Sequence, residues 1–239
     1  MKGFQGIHER AIARKGGEAA LQELLPRVLS RDEIAAIPDS RFLSMMAKGI
    51  NQAGFHWQVI ENKWPQFEEA FLGFDVEKLA FLSDQAWDAY LTDPRVVRNW
   101  QKIEAVYKNA IFMRELAQKH GSAARFFADW DPDDQFGLAQ YLKKNGSRLG
   151  GMTGMLFLRR MGKDIYLLSR DVVLALQHAG LEIADQPTSL KDLKAIQSCF
   201  TEWHQETDIP YSHLSKIAAY SVGENYATDY ILERMHQDQ

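Results

Sequence analysis

Cysteine is almost absent from this chain: Cys199 is the only one in 239 residues, which excludes an internal disulfide and any zinc site built on several thiolates. Proline is scarce too. The seven prolines (Pro26, Pro38, Pro65, Pro94, Pro132, Pro187 and Pro210) fall where boundaries between helical stretches are expected, and no Ser-, Gly- or Pro-rich linker divides the sequence. No apolar run approaches the roughly 18 residues of a membrane span. The first residues, Met1-Lys2-Gly3-Phe4-Gln5-Gly6, lack the apolar stretch of a signal peptide. Basic charge is not in excess either, since 28 Lys and Arg stand against 32 Asp and Glu; the molecule as a whole is not a basic coat for nucleic acid. We expect a soluble, cytoplasmic monomer with no membrane partner, whose 46% apolar residues suffice for a well-buried core.

What the chain does have is helical periodicity. Leu21, Leu24, Leu25 and Val28 form one apolar stripe; Ile103, Val106, Tyr107, Ala110 and Met113 form another. Strict alternation of the strand type is rare. Side-chain acceptors stand ahead of the stripes: Asp39 and Ser40 before the run from Phe42, Asp75 before Val76–Leu82, Asp84 before Trp87–Leu91, and Ser189 before Leu190–Trp203. Each is placed to cap the free N–H groups of a helix. Gly54, Gly121, Gly146 and Gly180 supply stop signals. The pattern predicts an all-α protein of about ten helices with short loops. Two amphipathic helices are expected over 189–206 and 210–222, then an acidic terminal helix.

Charge is unevenly placed. Residues 141–170 carry seven bases (Lys143, Lys144, Arg148, Arg159, Arg160, Lys163 and Arg170) against Asp164 alone. Such a patch suits a polyanion, although a solvated helix face would look the same. Inside it, a helix over about Gln135–Lys144 ends at Gly146, a tight Leu149-Gly150-Gly151 turn follows, and a second apolar helix begins near Thr153. This is a helix–hairpin–helix pattern. Its glycines allow a phosphate to approach the backbone, and the opening N–H groups of the second helix can bind it. Arg148 and Lys144 would add charge that is blind to base sequence. Beyond a Gly162-Lys163-Asp164 turn, Ser169 is expected to cap the next helix and Asp171 to fall in its first turn, where a carboxylate is stabilised as the anion. On its own that is a commonplace capping arrangement.

The order of these parts resembles the helix–hairpin–helix DNA glycosylases. A nearer likeness lies upstream, in Asn51-Gln52-Ala53-Gly54-Phe55-His56-Trp57, then Trp64–Phe74 with Asp75, then Asp93-Pro94-Arg95 through Lys102-Ile103 and Asn109-Ala110. That series resembles the DNA-3-methyladenine glycosylase I family over roughly residues 42–180. The resemblance implies two helical halves with a cleft between them. One half would comprise 1–130 with 185–239 and carry the base pocket; the other, 131–184, would bind DNA through Arg148, Gly150, Gly151, Thr153 and Lys144. It also implies a double-stranded DNA partner containing alkylated bases, no cofactor, and cleavage of the bond between base and deoxyribose. Trp57 is carried over as the stacking residue, with Phe55, Asn51 and His56 as companions. An indole face attracts a flat cationic base by about 1–2 kcal/mol. Without the resemblance, Trp57, Phe55 and Trp64 would read as core aromatics.

Three departures from the family pattern shape the expectation. Gly49 occupies the position where the family carries a pocket glutamate, which leaves the preferred lesion open. His8 near the start, and Cys199 with His204 near the end, are too few for the family's zinc cluster, so no metal is expected and Cys199 reads as a small buried residue. Finally, Asp171 stands near the place of the superfamily's catalytic aspartate, which this family lacks. An anion there would stabilise an oxocarbenium-like sugar and orient water. No lysine precedes it where a lyase nucleophile would sit. The expectation is therefore a monofunctional glycosylase that rotates an alkylated purine out of the duplex and hydrolyses it. The alternatives are a binder of alkylated DNA that has lost base excision and a helical protein scaffold.

Overall fold

Side-chain capping sets seven of the helix starts. Ser169 Oγ accepts from the Val172 amide, Ser189 Oγ from Asp192, and Asp75 from Lys78, each satisfying an N–H that has no partner inside its own helix. The computed structural model describes residues 3–237. In chain order the helices are α1 (Gln5–Lys15), α2 (Glu18–Glu23), α3 (Arg31–Ala35), α4 (Asp39–Gln52), α5 (Trp57–Ala70), α6 (Val76–Ala80), α7 (Asp84–Ala89) and α8 (Trp100–His120). They continue with α9 (Ala123–Asp129), α10 (Gln135–Asn145), α11 (Met152–Arg160), α12 (Arg170–His178), α13 (Leu190–Thr207), α14 (Tyr211–Tyr220) and α15 (Thr228–Gln237). A single 3₁₀ turn, Leu72–Phe74, follows α5. No strand occurs among the described residues, and the fold is all-α. None of these helices is long and apolar enough to cross a membrane.

Three local expectations need correction. Asp39 does not cap the helix it begins. Its two carboxylate oxygens accept from the amides of Ala123 (3.0 Å) and Ala124 (2.8 Å) at the start of α9, while Pro38 precedes α4 without a side-chain cap. The cap of α7 is Ser83, one residue before the expected Asp84, and its hydroxyl accepts from Ala86. Pro65 marks no boundary, for it lies inside α5. Lacking an N–H, it leaves the Glu61 carbonyl without its usual i+4 donor.

The chain forms two compact units. The first is assembled from Met1–Val28, Pro132–Phe136 and Asp164–Gln239. Its core gathers Phe4, Ile7 and Ala11 of α1 with Val172 and Leu176 of α12, Phe200 and Trp203 of α13, and Leu214 and Ile217 of α14. Tyr166 stacks flat on Phe200 there, with ring centroids 4.4 Å apart. Asp164 anchors the loop before α12 by accepting from the amides of Tyr211 (2.9 Å) and Ser212 (2.7 Å) at the start of α14. Cys199 is buried in this core, and burial pushes its thiol up to about 12, so it is an inert packing residue.

The second unit comprises Leu29–Asp131 and Gly137–Lys163. Its centre is the long helix α8, which packs against α4, α6 and α9, while α11 packs on α4. Phe42, Phe127 and Phe157 meet edge and face between these helices. This grouping departs from the expected halves. The segment 137–163 joins 29–131, and the terminal residues 185–239 join the first 28 residues. The apolar face of α11 is matched by α4, whereas the faces of α13 and α14 are filled by α1 and α12.

Candidate functional site

The second unit carries the exposed aromatic turn. Helix α4 ends at Gln52, and Gly54 adopts φ +76°, a left-handed conformation that glycine accepts without strain. The chain can then reverse into α5, which opens at Trp57. A cation from α8 holds the turn from below. Lys102 donates 2.8 Å hydrogen bonds to the carbonyls of Asn51 and Ala53, a positive charge placed on the C-terminal carbonyls of α4. Its ammonium also lies 4.3 Å from the centre of the Phe55 ring. Burial, and then the positive Arg148, lower the Lys102 pKa.

Trp57 is 41% exposed, and its ring is covered on one side by the Arg160 guanidinium, 4.8 Å from the ring centre. Arg160 in turn donates to Oε1 of Gln52 at 2.6 Å, and Gln52 Nε2 donates to Glu61 Oε1 at 2.6 Å. Glu61 also pairs with Lys48. The chain of contacts runs Lys48–Glu61–Gln52–Arg160–Trp57, with Gln52 only 1% exposed. It joins α4, α5 and the end of α11. Gly49 lies one turn earlier on α4, where an added β-carbon would rest 3.7 Å from the Thr153 methyl. Space exists there for a side chain, but no carboxylate occupies it.

Of the residues expected around a base, Trp57, Phe55 and His56 are exposed on this turn. Asn51 is not: it is 2% exposed, and its side-chain nitrogen donates to the Ala47 carbonyl of its own helix. It belongs to the packing of α4. Sequence reasoning missed Arg160, Gln52 and Lys102 as members of the site. Gln52 and Lys102 were present in the quoted motifs, but nothing local marks Arg160 as the partner of Trp57.

The turn between α10 and α11 is the second element. Asn109 of α8 grips it through both amide atoms, donating to the Ser147 carbonyl (3.0 Å) and accepting from the Ser147 amide (2.8 Å). Arg148 takes φ +58°, and its guanidinium pairs with Gln101. Gly154 is sterically required, since a β-carbon there would lie 2.1 Å from the Leu149 carbonyl oxygen. Lys144, Arg148, Gly150 and Gly151 are exposed and Thr153 is half-buried. Gly151 precedes α11 and offers no side-chain cap to the opening N–H groups of that helix.

The sequence profile of the methyladenine glycosylase family matches residues 36–153, a span that contains both the aromatic turn and the turn at 146–151. Among solved structures, 3-methyladenine DNA glycosylase I from Staphylococcus aureus is 25% identical over 58% of this chain and 80% of its own, with a TM-score of 0.48. A further 3-methyladenine DNA glycosylase I crystal structure is 21% identical over 58% of this chain and 82% of its own, with a TM-score of 0.47. No curated protein matches the chain.

Asp171 lies outside the glycosylase-family span and in the first unit. It occupies the first turn of α12 behind the Ser169 cap. Its carboxylate is half-buried against the turn at Gly223, where a β-carbon would fall 2.7 Å from Oδ1. Gly223 has φ +66°. The neighbouring carbonyls of Tyr220, Val222 and Gly223 are held by the Arg14 guanidinium at 2.7–3.0 Å. A separate open cavity of about 510 Å³ in the second unit is lined by Asp39, Gly73, Asp75 and Glu77 and contains none of the expected site residues. Its acids are committed elsewhere: Asp39 to α9, Asp75 to the Lys78 amide and Glu77 to Arg114.

Proposed function

We propose that this protein recognises alkylated purines in double-stranded DNA and hydrolyses the bond joining base to deoxyribose. The observation that carries this reading is the methyladenine glycosylase match, because it falls on the segment that exposes Trp57 and builds the turn at 146–151. In this reading the α10–α11 turn is a helix–hairpin–helix element. The opening N–H groups of α11 and the basic Lys144 and Arg148 hold the phosphate backbone. The target nucleotide leaves the stack, paying a few kcal/mol for unstacking, and its base meets the exposed turn at Phe55, His56 and Trp57. Asp171 is the candidate anion for the sugar: an oxocarbenium-like transition state gains from a nearby carboxylate, which can also orient water. No nucleophilic lysine is required, so the product is an abasic site with an intact strand.

The test is release of free bases from methylated duplex DNA. The wild-type chain is expected to liberate alkylpurine, Trp57→Ala to lower the rate by about ten-fold, and Asp171→Asn by about a hundred-fold or more. Absence of any released base from the wild type overturns the hydrolytic reading.

Two observations favour a second reading, binding without excision. Gly49 contributes no carboxylate, and Asp171 rests against the Gly223 turn. That reading predicts tighter binding to alkylated than to undamaged duplex, no base release, and no effect of Asp171→Asn.

A further inference from the structure

The chain has six tryptophans, and four of them serve packing. Trp87 and Trp203 are buried, Trp64 stacks with Phe67 and Phe74, and Trp130 lies against Phe126 and Tyr141. The other two, Trp57 and Trp100, are each 41% exposed. Trp57 belongs to the aromatic turn and is covered on one side by Arg160. Trp100 has no such cover: among the described residues no ring stacks on it and no cation lies over it. A large apolar ring left in water forgoes the burial that stabilises its counterparts.

Trp100 opens α8, the helix that ties both elements of the site together. The next residue, Gln101, accepts from the Arg148 guanidinium of the α10–α11 turn. The one after it, Lys102, holds the carbonyls of Asn51 and Ala53 and lies beneath Phe55. All of these residues belong to the second unit. Successive helical residues rise by only about 1.5 Å, so Trp100 stands at the edge of the surface that the two turns form. Ahead of it, Asn99 is extended (φ −130°, ψ 108°), with its side chain turned back to accept from the Lys102 amide. Arg98 is exposed, and its guanidinium has no ion pair or hydrogen bond among the described residues. Glu104, one turn along α8, is matched by Lys108 at 3.0 Å. A free cation two residues from a bare indole, beside a turn that carries Lys144 and Arg148, suits opened nucleic acid: the cation meets phosphate and the ring meets the face of a base.

A fully paired duplex offers Trp100 nothing to stack on, because each base is covered above and below. Rotation of one nucleotide out of the stack changes that. The base faces on either side of the gap lose a neighbour, and the opposite base loses its partner. We propose that Trp100 is a second stacking residue, which covers a base left bare inside the opened duplex, with Arg98 pairing to a nearby phosphate. This rests on the DNA reading above and extends it from the extruded base to the gap that extrusion leaves.

The experiment compares two duplexes of one sequence, one fully paired and one carrying a single tetrahydrofuran residue, a sugar without a base. The second holds a gap but no extruded base, so Trp57 has no ligand there and the two tryptophans are read separately. Affinities are measured for the full chain, Trp100→Ala, Trp100→Phe and Arg98→Ala, with urea unfolding of each variant alongside. Trp100→Ala is expected to lower affinity for the gapped duplex relative to the paired one by about five-fold or more, the worth of one base–aromatic stack, and Trp100→Phe to restore most of it. Arg98→Ala is expected to weaken both duplexes alike and to flatten the log–log salt slope by about one unit; an unaltered slope removes Arg98 from the proposal. In a parallel series 2-aminopurine replaces the base opposite the gap or the one beside it. Quenching by the wild-type chain that is lost in Trp100→Ala supports the proposal, and the quenched position shows whether the opposite or the flanking base is covered. An unchanged affinity ratio in a folded Trp100→Ala, or no quenching at either position, overturns the role of Trp100, while release of bases from methylated DNA tests the earlier reading independently. A wild-type chain that binds neither duplex overturns the DNA reading and this proposal together.

Discussion

Asp93 and Arg95, two residues apart, form a bidentate ion pair in the second unit. The guanidinium meets both carboxylate oxygens at 2.7–3.1 Å, and the Arg95 amide adds a 2.8 Å bond to the same carboxylate. The side-chain bonds from Arg95 are the main reason that Asp93 is held below its ordinary value of 3.8. A carboxylate with a lower pKa folded than unfolded contributes stability that is complete above the unfolded value and fades as pH falls through the folded one. In Asp93→Asn that contribution is missing at every pH. The urea midpoints of variant and wild type are therefore expected to differ at about pH 6 and to converge below about pH 3. A gap that persists unchanged into acid contradicts this account.

At the same scale, legibility depended on distance along the chain. Ser169, Ser189 and Asp75 were readable as caps because a cap bonds an amide three residues on. Asp39 carried the same local signal but is drawn away by the start of α9, 84 residues downstream. Adjacent Ser83 and Asp84 offered equivalent acceptors, and periodicity could not choose between them. Arg160 was visible only as one base among seven. Its pairing with Gln52 spans 108 residues and leaves no periodic trace.

Among the elements, the α10–α11 turn is the most tightly specified. Gly154→Ala places a methyl 2.1 Å from the Leu149 carbonyl oxygen, a backbone clash that no rotamer change relieves. A loss of about 1–3 kcal/mol or more is expected, read as a lower urea midpoint. Asn109→Ala removes both bonds to Ser147 and leaves partly buried peptide groups unpaired. The expected cost is about 1–3 kcal/mol, together with faster amide exchange at 146–151. Asn109→Asp keeps the acceptor, so the Ser147 amide is expected to remain protected. The helices themselves were largely legible: α10, α11, α13 and α14 lie within two residues of the expected bounds where these were stated. The exception, α5, runs through Pro65, because buried Ile60, Phe67 and Ala70 on either side of the proline hold it in one piece.

At the level of the whole molecule, charge and connectivity matter most. If the basic segment 141–170 meets phosphate, DNA affinity must fall steeply as salt rises, with a log–log slope of about −0.9 for each phosphate neutralised. Replacing exposed Lys144 and Arg148 by alanine together should flatten that slope by about 2 units; an unaltered slope places the contact elsewhere. The grouping into two units was the least legible feature. An amphipathic stripe announces that a face will be covered but not which helix covers it, and the apolar residues of α1 could equally have suited α4. The first unit unites the beginning and end of the described chain: Arg14 holds the Tyr220 carbonyl 206 residues away, and Phe4, Ile7 and Ala11 share a core with α14. During synthesis, therefore, α1 emerges with its greasy side unclaimed and must stay soluble until α14 leaves the ribosome. A chain halted before α14 would expose that side to chaperones and proteases, whereas the segment 29–131 could already have begun to fold.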